Sequence, residues 1–357
     1  MDRRTNYAAA SVPQNFIRGA QSCETRPMIR IGILGAARIA PRGIVTPANE
    51  TLGAEVVAVA SRDLERARDF AAKHSIPLAL GSYAELVVRD DIDLVYCALP
   101  PSAHLEWCSA ALENGKHVLV EKPFANNAQN AAQMVATARA ANRHLFEGFH
   151  YRFHPLFVGA LADLRAGVIG RIRHIDALFN ADLPDTPGEL RYIEALGGGA
   201  LMDLGCYCVH WIRTVAGDEP EIVKASARCG APGVDLDVEA EMAFTSGPTA
   251  TLKCSMQPSD GQLRRRLVVR GDKGVLEIDN PVTPHAGATL SIEAPNGPMP
   301  QIVSGGDTTF HHQLRHVMEV IAGRAAPLTG GDDAVANMRA IDAIYRAAGL
   351  RPRGLAA

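Results

Sequence analysis

The chain reads as an α/β protein with two parts. An N-terminal Rossmann-type doubly wound parallel sheet is followed by an α/β domain on an open, mainly antiparallel sheet. Three observations predict this. Short apolar runs alternate with helical stretches over residues 28–150, the pattern of βαβ units. After Tyr151 the pattern changes to consecutive β-rich runs joined by tight turns. A length of 357 residues is also more than one core ordinarily holds, so the expected division is 28–150 and 151–357.

Composition narrows the function classes. The chain is 47% hydrophobic and 21% charged with a net charge of −3, as in ordinary globular proteins. That balance gives no electrostatic reason to expect nucleic acid or an anionic membrane as partner. No apolar run approaches the length of a membrane-spanning helix. Seven cysteines are dispersed without a C-x-x-C pair, which suits reduced, packed thiols in the cytoplasm better than a disulfide framework. Residues 1–27 are polar and are expected to form a flexible arm. Arg3-Arg4 hints at an export signal, but Ala8-Ala9-Ala10 is too short for its apolar core.

In the first half, the strand Arg30–Leu34 runs into Gly35-Ala36-Ala37-Arg38-Ile39-Ala40. This is the dinucleotide fingerprint G-x-G-x-x-G/A with Ala37 at its second glycine. The first glycine permits the tight turn, and the second position governs how closely backbone approaches a pyrophosphate. The second strand, Glu55–Ala60, ends in Ser61-Arg62-Asp63. A hydroxyl and a guanidinium at this tip suit the 2′-phosphate of NADP, whereas an acidic residue there would favour NAD. Asp63 is expected to cap the helix Leu64–His74. NADP is therefore the expected cofactor and NAD the alternative.

The alternation continues through a strand at Leu78–Leu80, a helix from Ser82 and a strand at Asp93–Ala98. Leu99-Pro100-Pro101-Ser102-Ala103-His104 then opens a helix ending near Gly115. Val118-Leu119-Val120 stops at Glu121-Lys122-Pro123, a strand end of the kind that meets ligands in open α/β sheets. Lys122 is one of six lysines against thirty arginines. Desolvation there is expected to lower its pKa and suit it to proton chemistry. A helix over Ala128–Ala141 and a strand over His144–Phe149 complete the half. The residues expected at the cofactor are Gly35, Ala37, Arg38, Ile39, Ser61, Arg62, Leu99, Pro100, His104, Glu121 and Lys122.

In the second half, Pro155–Arg165 reads as a helix. Strands follow at Arg171–Phe179, Ile222–Arg228, Val238–Thr245, Thr249–Met256, Arg264–Arg270 and Gly274–Ile278. The open sheet is expected to pair copies of the chain into a homodimer or homotetramer. Between these strands Gly197-Gly198-Gly199 precedes a helix in which Asp203, Tyr207 and His210 recur at i, i+4 and i+7. The glycines allow close approach of another backbone or a flat ring. Asp203 and Tyr207 can grip a hydroxyl, and a nearby Lys122 would lower the Tyr207 pKa. The pairs His312/His316 and His150/His154 lack the carboxylates or cysteines of a zinc site, and no metal is expected.

The pieces "IGILGAARIA", "ALPPSAH", "HVLVEKPFA", "FEGFHYRFHP" and "GGGALMDLGCYCVH" together resemble the glucose–fructose oxidoreductase, inositol dehydrogenase and MocA (Gfo/Idh/MocA) family. The resemblance spans roughly residues 28–350 and is nearest to the dihydrodiol and D-xylose dehydrogenase branch. It implies a nicotinamide cofactor between the domains, with Lys122 at the substrate hydroxyl and Asp203 binding the substrate. Tyr207 stands where inositol-dehydrogenase-like members carry a histidine, and the resemblance implies that it is the acid/base. His150 replaces an apolar residue of many relatives, and His150 and Arg152 are assigned to the far side of the substrate. The activity implied is hydride transfer between the nicotinamide and a carbinol or carbonyl of a sugar, cyclic polyol or trans-dihydrodiol. A closed-cycle enzyme or glycosidase with tightly held nicotinamide, and a non-catalytic NADP sensor, are the alternatives on the same fold.

Overall fold

The computed structural model describes residues 28–230, 233–294, 297–303 and 305–355, so the expected N-terminal arm lies outside the described residues. Two sheets organise these residues.

The first contains β1 (Ile29–Leu34), β2 (Ala54–Ala60), β3 (Leu78–Leu80), β4 (Leu94–Cys97), β5 (His117–Val120) and β6 (Leu145–Glu147). All pairs are parallel, in the order β3-β2-β1-β4-β5-β6. The order reverses between β1 and β4, which opens a crevice at the carboxyl ends of the strands. Register sets what lines it. Leu34 lies opposite both Ala60 and Cys97, and Cys97 opposite Val120, so the loops beginning at Gly35, Ser61, Ala98 and Glu121 lie side by side. Helices α1 (Thr46–Glu50), α2 (Leu64–His74), α3 (Tyr83–Val87), α4 (His104–Glu113) and α5 (Ala128–Ala140) cross between strands. Asp63 caps α2, its carboxylate accepting from the Glu65 and Arg66 amides at 3.0 and 3.2 Å.

After α6 (Pro155–Arg165), the second sheet is built from β7 (Ile172–Asn180), β8 (Glu221–Cys229), β9 (Asp235–Ala243), β10 (Thr249–Ser255), β11 (Arg264–Gly271), β12 (Val275–Asp279), β13 (Thr289–Ala294) and β14 (Gly297–Val303). Its order is β14-β13-β12-β11-β7-β10-β9-β8, antiparallel except for the β7–β10 pair. The sequence reading missed β13 and β14. Pro298 and Pro300 argue against a strand, and β14 accommodates them by lying at the sheet edge, where a missing amide costs no ladder bond.

Alternation along the strands gives the sheet two unlike faces. Ile175, Ala177, Phe179, Leu252, Leu267 and Val269 point into the core with α7 (Cys206–Ala216) against them. The opposite face is charged, with Arg270–Asp176, Arg266–Glu277 and Lys253–Glu239 ion pairs at 3.2, 2.6 and 2.9 Å.

The last two helices return to the first sheet. Leu314, Val317 and Val320 of α8 (Thr309–Ile321) share a core with Ile31, Ile33 and Val59. In α9 (Gly331–Ala347) Asp342 accepts from the Ala128 amide at the start of α5, at 3.1 Å. The C-terminal segment thus braces the crevice from the side of the first domain.

Candidate active site

A cleft of about 670 Å³ opens where the β1, β4 and β5 loops face the start of α7 and the inner edge of the second sheet. That volume suits a small-molecule site. Two of the helices that border it begin with one wider, π-type turn, Pro41–Val45 before α1 and Leu201–Gly205 before α7. Such turns often mark functional sites, because the inserted residue re-aims side chains. Here they place Arg42 and Asp203 on the cleft wall.

At the centre, Lys122 Nζ donates to Asp203 Oδ1 at 2.7 Å and to the Asp203 carbonyl at 2.9 Å. Arg191 Nε donates to the other carboxylate oxygen at 2.6 Å. Burial alone would raise the Asp203 pKa. The two cations outweigh it and hold the group at about 2, so Asp203 is an acceptor-only carboxylate at neutral pH. Lys122 responds in the opposite sense to the sequence expectation. Burial pulls its pKa down, but attraction to Asp203 prevails and the net shift is upward. Lys122 therefore stands as an ammonium paired with Asp203.

Tyr207 lies one turn beyond Asp203, with Lys122 Nζ 5.1 Å from its ring centroid. Its hydroxyl is 3.3 Å from His150 Nε2, and His150 Nδ1 is 2.7 Å from Thr309 Oγ1 at the start of α8. The expected lowering of the Tyr207 pKa is also overturned. Burial, then the nearby Glu121, Cys206 and Asp203, push it well above its ordinary value. The charge on Lys122 is spent on Asp203 and does not draw out the phenolate. Burial and the Lys122 charge hold His150 well below its usual pKa, so it is neutral.

The loop preceding the helix explains the glycine triplet. A Cβ on Gly198 would lie 2.5 Å from the Arg191 carbonyl oxygen, so only glycine lets the Arg191 loop pack on the helix start. Glu189 in that loop binds Arg191 Nη1 and Arg38 Nη2, each at 2.8 Å, which links the first glycine turn to Asp203 across the cleft.

The cofactor side can be tested against the same geometry. Gly35 has φ +97°, and a Cβ there would lie 3.0 Å from Leu99 Cδ2 and 3.3 Å from the Ala98 oxygen. The turn is tight enough to need glycine, and the Ala37 amide closes it onto the Gly35 oxygen at 2.8 Å. Arg38, Ile39, Leu99, Pro100, Glu121 and Lys122 line the cleft. Ser61 follows β2, its hydroxyl accepting from the Asp63 amide at 3.3 Å, and Arg62 is exposed beside it. A nucleotide with phosphates at the glycine turn and ribose near Ser61 fits these groups.

The fold agrees with what the chain is similar to. Residues 29–149 match the model of the oxidoreductase family with an NAD-binding Rossmann fold, and residues 160–277 match the GFO/IDH/MocA C-terminal domain. The chain belongs to the GFO/IDH/MocA family of oxidoreductases. A trans-1,2-dihydrobenzene-1,2-diol dehydrogenase of Xenopus tropicalis is 34% identical over 81% of this chain and 88% of its own length. A D-xylose 1-dehydrogenase (NADP(+)) of Haloferax volcanii is 33% identical over 89% of this chain and 96% of its own. Among solved structures, the 3-ketoreductase KijD10 of Actinomadura kijaniata, in complex with NADP and TDP-benzene, superposes with a TM-score of 0.83 at 31% identity. That match covers 91% of this chain and 98% of KijD10.

Within this GFO/IDH/MocA member, some expected site residues fall elsewhere. His104 is fully buried beneath the cleft, its ring nitrogens 2.8 Å from the Leu99 oxygen and 3.1 Å from the Phe124 oxygen. It fastens the β4 and β5 loops together and does not face the crevice. Arg152 is turned away too, its guanidinium over Phe157 at 5.9 Å. The tight turn His150–Phe153 sends residues two apart in different directions, so His150 reaches the cleft and Arg152 does not. His210 continues the Asp203–Tyr207 stripe but lies ~10 Å further along the helix than Asp203, at 1.5 Å per residue. There it stacks on Phe149 and meets Tyr151 and Asp333 at 2.5 and 3.0 Å. Glu121 lines the cleft yet accepts from the Tyr96 hydroxyl at 2.5 Å, and burial raises its pKa. No group of three or more metal-ligating side chains suited to a metal occurs among the described residues.

Sequence reasoning missed Glu189, Arg191, Arg42, Arg265 and Thr309. Only Arg265 left a signal. It shares the inward face of β11 with Leu267 and Val269, an arginine where alternation calls for an apolar residue.

Proposed function

We propose that the chain is an NADP-dependent dehydrogenase or reductase of a sugar, cyclic polyol or trans-dihydrodiol. The observation that carries this reading is Asp203, held between Lys122 and Arg191 beside Tyr207, at the carboxyl ends of a parallel sheet. A carboxylate kept ionised here accepts from a substrate hydroxyl and orients it. Lys122, a permanent ammonium, stabilises negative charge that develops on the reacting oxygen. Tyr207 exchanges the proton of that oxygen. If Thr309 donates to His150 Nδ1, His150 Nε2–H donates to the Tyr207 oxygen and leaves the phenol O–H free for the substrate. A bound nicotinamide would supply or take up the hydride. Gly35, Ala37, Arg38 and Ile39 would meet its pyrophosphate, with Leu99, Pro100, Glu121 and Lys122 along the rest of its path. Ser61 and Arg62 would favour the 2′-phosphate.

The relatives named for NADP, D-xylose and dihydrodiols support the cofactor and the substrate range. Unbridged cysteines, five of the six described being buried, suit the cytoplasm. The charged outer face of the second sheet is the proposed surface for a homodimer or homotetramer.

The test is absorbance at the reduced-nicotinamide band with NADP or NAD and a panel of aldoses, inositols and cyclic diols. Turnover lost in both Tyr207→Phe and Lys122→Ala supports the reading. Silence across the panel, with nucleotide released only on denaturation, would move the assignment to a closed-cycle enzyme or a sensor.

A further inference from the structure

The cleft carries more positive charge than the reaction uses. Five basic side chains line it against the carboxylates of Glu121, Glu189 and Asp203, although the chain as a whole has a net charge of −3. Three of the cations are compensated: Lys122 and Arg191 by Asp203, and Arg38 by Glu189. Arg42, whose charge reaches Glu121 only at longer range, and Arg265 are not held by such a pair. Neither forms an ion pair among the described residues.

Arg265 is also prepared for a ligand. Its Nη1 donates to Asn280 Oδ1 at 2.9 Å and Thr283 Oγ1 at 2.7 Å, which fixes the plane of the guanidinium. Its Cζ stands 5.5 Å from the Phe179 ring centroid. Nη2 makes no hydrogen bond among the described residues, and Nε beside it is buried without a partner. A buried, unpaired N–H is costly, and a guanidinium fixed through Nη1 with Nη2 unpaired is preorganised for an oxygen of a carboxylate or phosphoryl group. Burial lowers its pKa, partly offset by the nearby Tyr207 and reinforced by the Arg42 charge, a repulsion that a bound anion would relieve. Tyr207 packs on the same Phe179, at 5.6 Å between ring centroids. Tyr207 and the Arg265 guanidinium therefore both pack on one aromatic ring of the cleft wall.

We propose that Arg265, assisted by Arg42, forms an anion subsite, and that the substrate is a sugar or cyclic polyol bearing a carboxylate or phosphoryl group away from the reacting carbon. This rests on the dehydrogenase reading above and narrows its substrate class. Neutral aldoses and diols would fill the site without meeting the guanidinium pair, and bind weakly.

The test is isothermal titration of the NADP-loaded protein with D-glucose, D-glucuronate, D-glucose 6-phosphate and dTDP-glucose, repeated on Arg265→Gln, Arg265→Lys and Arg42→Gln. At least one anionic ligand is expected to bind tenfold or more tighter than glucose. Arg265→Gln should reduce that preference to within twofold, with Arg265→Lys intermediate, while NADP affinity holds. Preference for glucuronate alone identifies a carboxylate, and preference for the phosphorylated ligands a phosphoryl group. Arg42 is exposed, so Arg42→Gln reports on the subsite even if the Arg265 variants fold poorly. Equal binding of glucose and every anion, or no anion binding at all, overturns the proposal. So does loss of NADP affinity in these variants, which would assign the two arginines to the cofactor. A preserved anion preference without hydride transfer would instead sink only the dehydrogenase reading.

Discussion

Lys122 holds Asp203 by two atoms at once, the carboxylate at 2.7 Å and the backbone carbonyl at 2.9 Å. The pair joins the first sheet to the helix packed on the second, because Lys122 follows β5 and Asp203 lies at the turn into α7. It therefore sets both the charge of the site and the closure of the cleft. Removing one partner of a buried pair strands the other. With the side chains 15% and 16% exposed, Lys122→Met is expected to cost about 3 kcal/mol, the lower end of the buried-pair range. The pH dependence follows from the Asp203 pKa of about 2. A depressed carboxylate contributes stability that is complete above its unfolded pKa of about 4 and is lost as the pH falls through the folded value. Urea titrations between about pH 4 and pH 2 should therefore show a shallower loss of stability in Lys122→Met than in the unaltered protein. Parallel losses would mean that Lys122 does not hold the carboxylate down.

Tyr207 has its pKa raised, chiefly by burial, so the phenol keeps its proton across the neutral range. The two directions of the reaction should then differ in their response to pH. With Tyr207 as the proposed acid/base, carbonyl reduction would use the protonated phenol and is expected to be flat from neutrality to about pH 10, the unperturbed tyrosine value. Carbinol oxidation needs the phenolate and should rise about tenfold per pH unit over the same span. Tyr207→Phe should lower kcat by roughly 10²- to 10⁴-fold in both directions. An oxidation rate that levels off near pH 7 would show that another group takes the proton.

Much of this was legible in the chain, and the losses have a common cause. The strand ends at Gly35, Ser61 and Lys122 could be read because local alternation and turn residues dictate them, and the Asp203–Tyr207 spacing because a helix repeats. The pKa directions of Lys122 and Tyr207 could not, because the first depends on contact with Asp203, 81 residues away, and the second chiefly on burial, and only tertiary packing decides either. Thr309 supports His150 from 159 residues away. His104 was misplaced for the opposite reason. Its position at a strand tip was right, but only packing decides whether such a side chain turns up into the crevice or down beneath it.

Gly198 offers a sharper test of the loop that carries Arg191. A Cβ there would meet the Arg191 carbonyl oxygen at 2.5 Å and the Ile193 oxygen at 2.9 Å, both backbone atoms that cannot rotate away. Gly198→Ala is expected to cost about 1–3 kcal/mol through overpacking. It should also shift Arg191 off Asp203 and so raise KM for the substrate more than KM for the cofactor. Thermal unfolding and steady-state kinetics check both parts. A variant with unchanged Tm and KM would mean that the loop does not need this close approach.

Arg62 decides whether the cofactor reading is right in detail. It follows β2 and is exposed, and its guanidinium has no ion pair among the described residues. Ser61 beside it offers a hydroxyl, while Asp63 spends its carboxylate on the α2 amides and is withdrawn from the ribose. An NAD-selective site would place a free carboxylate here, so the arrangement favours the 2′-phosphate. Arg62→Ala should raise KM for NADP at least about tenfold, the loss of one charge-assisted contact, and leave KM for NAD within about twofold. Initial rates with each nucleotide at saturating substrate measure the ratio. Equal effects on both nucleotides would place Arg62 outside the 2′-phosphate pocket, and the preference would then have to come from Ser61 or Arg66.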